Sequence, residues 1–201
     1  MAALVLGLLI ASAKGSNDTQ STELTEISAK IVLLDRVLAH YGPESKEARD
    51  LLRGAVLRIV DRTWSKDRTN PSQFEPPFVG NEVFYDKIQG LSPKDDTQRS
   101  LQAQALSIAI SFGQTHWLMY EQSTTSVSLP LLVVLVFWLT IIFISFGLFA
   151  PPNATVLASL FVSALSVSGA IFLILEMYTP YSGLIQISSA PLRAVLAHLG
   201  Q

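Results

Sequence analysis

Residues 129–178 are LPLLVVLVFWLTIIFISFGLFAPPNATVLASLFVSALSVSGAIFLILEMY, and this stretch decides the fold. Its first part, from Leu129 to Ala150, is uncharged. At about 1.5 Å per helical residue it reaches roughly 33 Å, which is about the thickness of a bilayer's hydrocarbon core. The part from Ala154 to Leu175 is equally long and equally uncharged. Because only residues 151–153 separate the two parts, they are predicted to form an antiparallel transmembrane hairpin.

The charged residues lie almost entirely outside this hairpin. Thirteen of the 14 Lys and Arg residues and 15 of the 16 Asp and Glu residues fall between Lys14 and Glu121. That region is therefore predicted to face water, and its nearly balanced charge does not indicate nucleic-acid binding. The chain has no cysteine, which excludes disulfides, thiolate catalysis and Cys-based metal sites.

The basic residues closest to the apolar segments predict the orientation in the membrane. Lys14 follows the N-terminal apolar run and Arg193 follows the second span, whereas the turn at residues 151–153 has no basic residue. Because cytoplasmic flanks carry the excess of Lys and Arg, the turn is predicted to lie outside the cell and both flanks inside.

The N-terminal run from Met1 to Ala13 is apolar but too short to span a bilayer by itself. One interpretation is a signal peptide, since residues 11–13 (ASA) have the pattern of a cleavage site, but no basic residue precedes the run. The other, which we favour, is a transmembrane span that begins upstream of Met1. The sequence is then expected to be truncated at its N-terminus.

The water-facing region is predicted to be a bundle of helices. From Gln20 onward, apolar residues recur in alternating steps of three and four, which indicates a helix with one narrow buried seam: Leu24, Ile27, Ile31, Leu34 and Leu38. Gly42 and Pro43 are predicted to end that helix and begin a second one that runs to Trp64. A loop is expected at residues 65–81, because Pro-containing pairs prevent regular helix there.

Two further helices are predicted before the hairpin, a short one from about Asn81 to Gln89 and a longer one capped by Ser92 and started by Pro93. After the hairpin, Pro191 is expected to open a short amphipathic helix along the membrane surface or the bundle. The fold class is therefore an all-α membrane protein: a partial N-terminal span (1–13), a cytoplasmic helical region (14–128), a transmembrane hairpin (129–178) and a cytoplasmic tail (179–201).

Two features of the hairpin are candidate functional sites. The first is a face of small residues, Ser159, Ser163 and Ser166, which serves either close packing between helices or the lining of a pore; packing is the more common use. The second is the inner end of the second span, where Glu176 and Pro180 form a candidate gating junction. An acidic group at that depth is either functional or simply in reach of water.

Catalytic chemistry finds little support. The three histidines, His40, His116 and His198, have no metal-ligand spacing, and the chain lacks a nucleophile elbow, a phosphate-binding glycine loop and a dinucleotide fingerprint. The sequence therefore predicts neither an enzyme nor a bound cofactor or metal.

Several stretches resemble the bacterial bestrophin-like membrane proteins, a family whose domain has no assigned function. The resemblance covers nearly the whole chain and rests on five segments: LDRVLAHYGPE (34–44), ARDLLR (48–53), NAT (153–155), ALSVSGAIFLILE (164–176) and ISSAPLR (187–193). It implies four spans in two pairs with a helical cytoplasmic region between them, so this chain would begin inside the second span.

The functional implication of the resemblance is narrower. Bestrophins are pentameric anion channels in which the segment after the last span contains a Pro-Phe-Gly turn followed by an acidic run that holds calcium. Here residues 180–183 (PYSG) only partly match the turn and the acidic run is absent, so calcium gating is not expected. The aromatic neck of bestrophins cannot be placed on residues 1–13, which contain no aromatic residue.

We therefore expect a multi-pass protein of the bacterial inner membrane that forms homo-oligomers and conducts ions, most plausibly inorganic anions. The alternative is a non-conducting scaffold or sensor that oligomerises or binds a partner through its cytoplasmic helices, since heptad spacing serves either purpose. A membrane enzyme would need a polar cluster that the sequence does not offer.

Overall fold

The computed structural model describes residues 2–64, 78–124, 129–151, 153–181 and 183–199. Within these ranges all regular secondary structure is helical, which confirms the all-α prediction. The elements are α1 (Ala2–Tyr41), a 3-10 turn (Pro43–Ser45), α2 (Lys46–Thr63), α3 (Phe78–Gln89), α4 (Asp96–Thr124), α5 (Leu129–Phe149), α6 (Ala154–Met177) and α7 (Ala190–His198).

The chain divides into two compact units. One, here called the apolar unit, comprises Met1–Thr19 and Ser126–Gln186. The other, here called the bundle, comprises Gln20–Thr125 and Ile187–Gln201. The domain boundaries set at residues 13, 128 and 178 from the sequence stay predictions.

The apolar unit contains α5 and α6, which follow the two uncharged segments of the sequence. Their apolar windows, Leu132–Phe149 and Ala154–Met177, have mean hydropathies of 2.8 and 2.2. Only 6% of each window is buried within the chain, so these helices are not the core of a water-soluble domain. Apolar surfaces of this extent need lipid or another chain as a partner.

The first helix is longer than the sequence pattern indicated. We expected it to begin near Gln20, but α1 runs without a break from Ala2 to Tyr41. The polar residues between the apolar run and the seam support helix instead of interrupting it. Lys14 Nζ lies 2.8 Å from Asp18 Oδ2 one turn later, and the Thr19 hydroxyl donates to the Gly15 carbonyl at 2.9 Å.

The seam of α1 forms much of the bundle's core. All five of its apolar residues are at most 3% exposed: Leu24, Ile27, Ile31, Leu34 and Leu38. Helices α2, α4 and α7 contribute further buried side chains: Ala48, Leu52, Val56, Val60, Ala105, Phe112, Met119, Leu192 and Val195. The helical spacing in the sequence therefore identified the core positions of α1 correctly.

The turn between α1 and α2 depends on Gly42. Its φ of 123° and ψ of −175° belong to a region open essentially only to glycine. Ser45 then stabilises the turn, because its buried hydroxyl lies 2.5 Å from the Leu38 carbonyl oxygen and 2.8 Å from the Gly42 carbonyl oxygen and shares its single hydrogen between them. Helix α2 consequently begins at Lys46, after a 3-10 turn, and not at Pro43 as predicted.

The start of α4 also differs from the prediction. Asp95, not Ser92, is the cap: its Oδ1 accepts the backbone N–H of Gln98 at 2.7 Å. The Gln98 side chain in turn binds the backbone just before the cap, because its Oε1 accepts the backbone N–H of Lys94 at 2.8 Å. The acidic side chain reaches the free amide of the first turn, so the helix begins at Asp96, three residues beyond Pro93.

The two remaining predictions concern α3 and the tail. Helix α3 begins at Phe78, three residues before the predicted start, and residues 65–77 of the predicted loop lie outside the described residues. The tail helix α7 packs on α2 within the bundle. The indole N–H of Trp64 donates to the Ile187 carbonyl at 2.8 Å and so fastens the tail just before α7.

Candidate functional sites

The serine face of α6 is exposed along its length. All three of its serines are exposed, so none of them is packed against α5 in a single chain: Ser159, Ser163 and Ser166. The Ser163 hydroxyl donates to the Ser159 carbonyl at 2.9 Å, which satisfies it within the helix. Whether this face packs against another helix or lines a pore stays a prediction.

The side chain of Glu176, at the end of α6, binds the backbone that follows. Its Oε1 accepts the N–H of Leu184 and, at 3.2 Å, the N–H of Ile185. The Thr179 hydroxyl adds a bond of 3.0 Å to the Glu176 carbonyl. The carboxylate therefore fixes the backbone of Leu184 and Ile185 near the end of α6, a role that the sequence did not indicate.

Gly183 makes that arrangement possible. Its φ is 105°, and a Cβ built on it would lie 2.8 Å from Cδ of Glu176. A side chain at this position would both strain the backbone and displace the carboxylate. A glycine seven residues after an acidic helix end was the available sequence signal for this contact.

Pro180 lies in the turn between Glu176 and Gly183. Pro180 is buried and the neighbouring Tyr181 is 5% exposed, so both side chains of this turn are removed from water. Glu176 and Gly183 thus bracket a compact turn that contains Pro180, whereas the assignment of Glu176 and Pro180 to gating stays a prediction.

The histidines do not converge. His40 Nδ1 lies 2.8 Å from the Arg36 carbonyl of its own helix, and buried His116 stacks beside Phe112 with ring centroids 6.0 Å apart. His198 is exposed on α7. In the parts of the chain that the structure describes, no group of three or more His, Cys, Asp or Glu side chains could hold a metal ion.

The bundle contains a buried ion pair that the sequence reasoning missed. Arg49 Nε donates to Asp35 Oδ1 at 2.7 Å, and Arg49 Nη2 donates to Asp35 Oδ2 at 2.9 Å. Asp35 is only 6% exposed. The bonds to Asp35 raise the pKa of Arg49, against the opposing effect of burial. An acidic residue directly after the seam residue Leu34 was the signal that could have revealed it.

A cavity of about 380 Å³ opens beside this ion pair, between the end of α1 and the first two turns of α2. Its charged lining residues are Lys46, Arg49, Asp50 and Arg53. We call it the basic cavity. Asp35 itself lines a second, smaller cavity of about 270 Å³ between α1 and α7.

A family model described as the bestrophin-like domain matches residues 1–192, nearly the whole chain. The chain belongs to the bestrophin-like family. This confirms the resemblance drawn from the sequence. Comparisons with curated proteins and with solved structures returned no match.

In this bestrophin-like chain, three of the segments that carried the resemblance contribute hydrogen bonds within the bundle. Segment 34–44 supplies Asp35, segment 48–53 supplies Arg49, and segment 187–193 supplies the Ile187 carbonyl bound by Trp64. The family match and the two exposed apolar helices together indicate a membrane protein.

Proposed function

We propose that this bestrophin-like protein is a multi-pass protein of the bacterial inner membrane that assembles as a homo-oligomer and conducts inorganic anions. The observation that carries the proposal is the family match across residues 1–192. The long apolar helices α5 and α6 supply the membrane part, and the bundle would lie on the cytoplasmic side.

Assembly from several copies is supported by the exposed serine face of α6. Small side chains let helix backbones approach closely, and lipid offers no hydrophobic drive of its own for such contacts. A neighbouring copy placed against Ser159, Ser163 and Ser166 would cover a face that a single chain leaves exposed.

The conduction proposal is tested by anion flux from proteoliposomes that contain the full-length protein. We expect chloride efflux, and we expect Ser163→Trp to reduce it at least tenfold because a bulky ring obstructs the serine face. Leu165→Trp is the matched control, because Leu165 is exposed two residues further along α6, away from that face. If efflux from the proteoliposomes is no faster than efflux from protein-free liposomes in chloride, potassium and sodium salts, the proposal is overturned.

The second candidate function is a non-conducting scaffold. It is favoured by α4, which exposes apolar side chains away from its buried stripe: Ile110 is 48% exposed, Trp117 is 40% exposed and Leu118 is 53% exposed. A scaffold predicts that Ile110→Glu lowers the oligomer mass measured by light scattering in detergent, while liposomes show no flux. Flux above the protein-free rate would exclude this alternative.

A further inference from the structure

The basic cavity carries more positive charge than its surroundings neutralise. Lys46, Arg49 and Arg53 lie on one face of α2 in steps of three and four residues, and all three line the cavity. Within the described residues, no ion pair is recorded for Lys46 or Arg53. Their charges are therefore available to a ligand.

Two nearby carboxylates, those of Glu44 and Glu47, pair with lysines outside the cavity, and a third, that of Asp35, neutralises only Arg49. Glu44 Oε1 lies 2.5 Å from Lys94 Nζ, and this bond lowers the pKa of Glu44. Glu47 Oε2 lies 2.7 Å from Lys87 Nζ. Asp35 is held by Arg49. Among the described residues that line the cavity, Asp50 is the one acidic residue.

The central cation is fixed in orientation. Both ends of the Asp35 carboxylate bind the Arg49 guanidinium, and the side chain is only 21% exposed. A guanidinium held in this way presents a fixed surface between the side chains of Lys46 and Arg53. From Lys46 to Arg53 the helix advances by about 10 Å, so a ligand with two linked anionic groups can bridge them.

We propose that the basic cavity binds a small phosphorylated ligand with two linked anionic groups. Lys46 and Arg53 bind one anionic group each, and Arg49 forms the wall between them. Phosphate oxygens suit this set, because guanidinium and ammonium groups make charge-assisted hydrogen bonds to them. The site does not rest on conduction, and its test measures none.

The test uses the full-length protein in a non-ionic detergent, titrated by calorimetry with inorganic diphosphate at constant ionic strength and without divalent cations. We expect saturable binding. Lys46→Gln and Arg53→Gln should each raise the Kd about tenfold, the size of one lost charge-assisted hydrogen bond. Asp50→Asn should lower the Kd, because it removes the opposing charge. Circular dichroism verifies that each variant keeps its helices.

Arg58→Gln is the matched control, an exposed arginine of the same helix that does not line the cavity. It should bind diphosphate with the wild-type Kd. No saturable binding, or equal weakening by Arg58→Gln and the cavity variants, would overturn the proposal.

The source of the phosphate is resolved by a second measurement. Native mass spectrometry of the protein in nanodiscs that contain cardiolipin, a lipid with two linked phosphate groups, counts the retained lipids. If Lys46→Gln and Arg53→Gln lose a lipid that Arg58→Gln keeps, the ligand is a membrane headgroup. If all three retain the same number, the diphosphate data assign the site to a soluble compound.

Discussion

Asp35 and Arg49, on successive helices of the bundle, are joined by two parallel hydrogen bonds of 2.7 and 2.9 Å. Both side chains are largely removed from water: when only side-chain atoms are counted, Asp35 is 9% exposed and Arg49 is 21% exposed. Such a pair fixes the register of α1 against α2 at the point where the core seam passes. Its loss is costly mainly because the remaining charge is left buried.

Arg49→Met should therefore destabilise the bundle by about 3 kcal/mol, since it leaves the Asp35 carboxylate without its partner. The double variant Asp35→Asn/Arg49→Met should recover most of that loss, because no buried charge remains. Chemical unfolding in detergent, followed by circular dichroism, measures both. Equal stability of the single and double variants would contradict this account of the pair.

A substitution at Tyr41 is expected to raise the stability of the bundle. It is 2% exposed, and its hydroxyl has no hydrogen-bond partner among the described residues. Replacing it with phenylalanine removes a buried hydroxyl that lost its hydrogen bonds to water and found no partner in this part of the chain. Tyr41→Phe should therefore stabilise the bundle by about 1 kcal/mol. A destabilised variant would mean that the hydroxyl has a partner outside the described residues.

The same residue predicts a pH dependence. Burial, and secondarily Glu44, raises the pKa of Tyr41 above its usual value of 10.0. The unfolded chain then loses this proton first. Stability linked to Tyr41 is complete below about pH 10 and is lost as the pH rises through the folded-state pKa. Between pH 9 and 11, the wild type should lose more unfolding free energy than Tyr41→Phe, as measured by unfolding at each pH.

The cap of α4 should contribute measurably. Asp95→Ala removes the acceptor for the Gln98 amide and is expected to cost about 1 kcal/mol. Ser92→Ala, at the position that the sequence suggested, should cost little. Thermal unfolding of the two variants distinguishes the caps, and a larger effect at Ser92 would restore the original prediction.

Glu176 should control the opening of the segment after α6. Glu176→Ala removes the acceptor for the amides of Leu184 and Ile185, so we expect these amides to exchange hydrogen about tenfold faster. Glu176→Gln keeps one acceptor oxygen and should show a smaller effect. Hydrogen exchange with mass spectrometry reads both, with Ser166→Ala as an exposed control on the same helix. Unchanged exchange in Glu176→Ala would show that the carboxylate does not hold the segment.

The sequence predicted the features of this fold that follow from a regular residue pattern. Apolar residues at helical spacing located the seam of α1, because burial of one helix face imposes that period on the sequence. The two uncharged segments similarly located α5 and α6, and Gly42 was correctly placed at the end of α1.

What the sequence could not predict depends on single contacts. The start of α4 was misplaced because Ser92 and Asp95 are both good caps, and only the position of Gln98 decides between them. Asp35 and Arg49 were missed because a buried ion pair needs residues from two helices, and periodicity describes only one. Glu176 was recognised as unusual, but its partners are backbone amides, which carry no sequence signature.

The bond from Trp64 to Ile187 joins residues 123 positions apart. The ribosome adds roughly 5 to 20 residues per second, so Trp64 waits roughly 6 to 25 s for this partner to be made. Both apolar helices are synthesised within that interval. The bundle is therefore closed last, by a tail that follows the membrane segments out of the ribosome, and its completion reports that translation of the whole hairpin has succeeded.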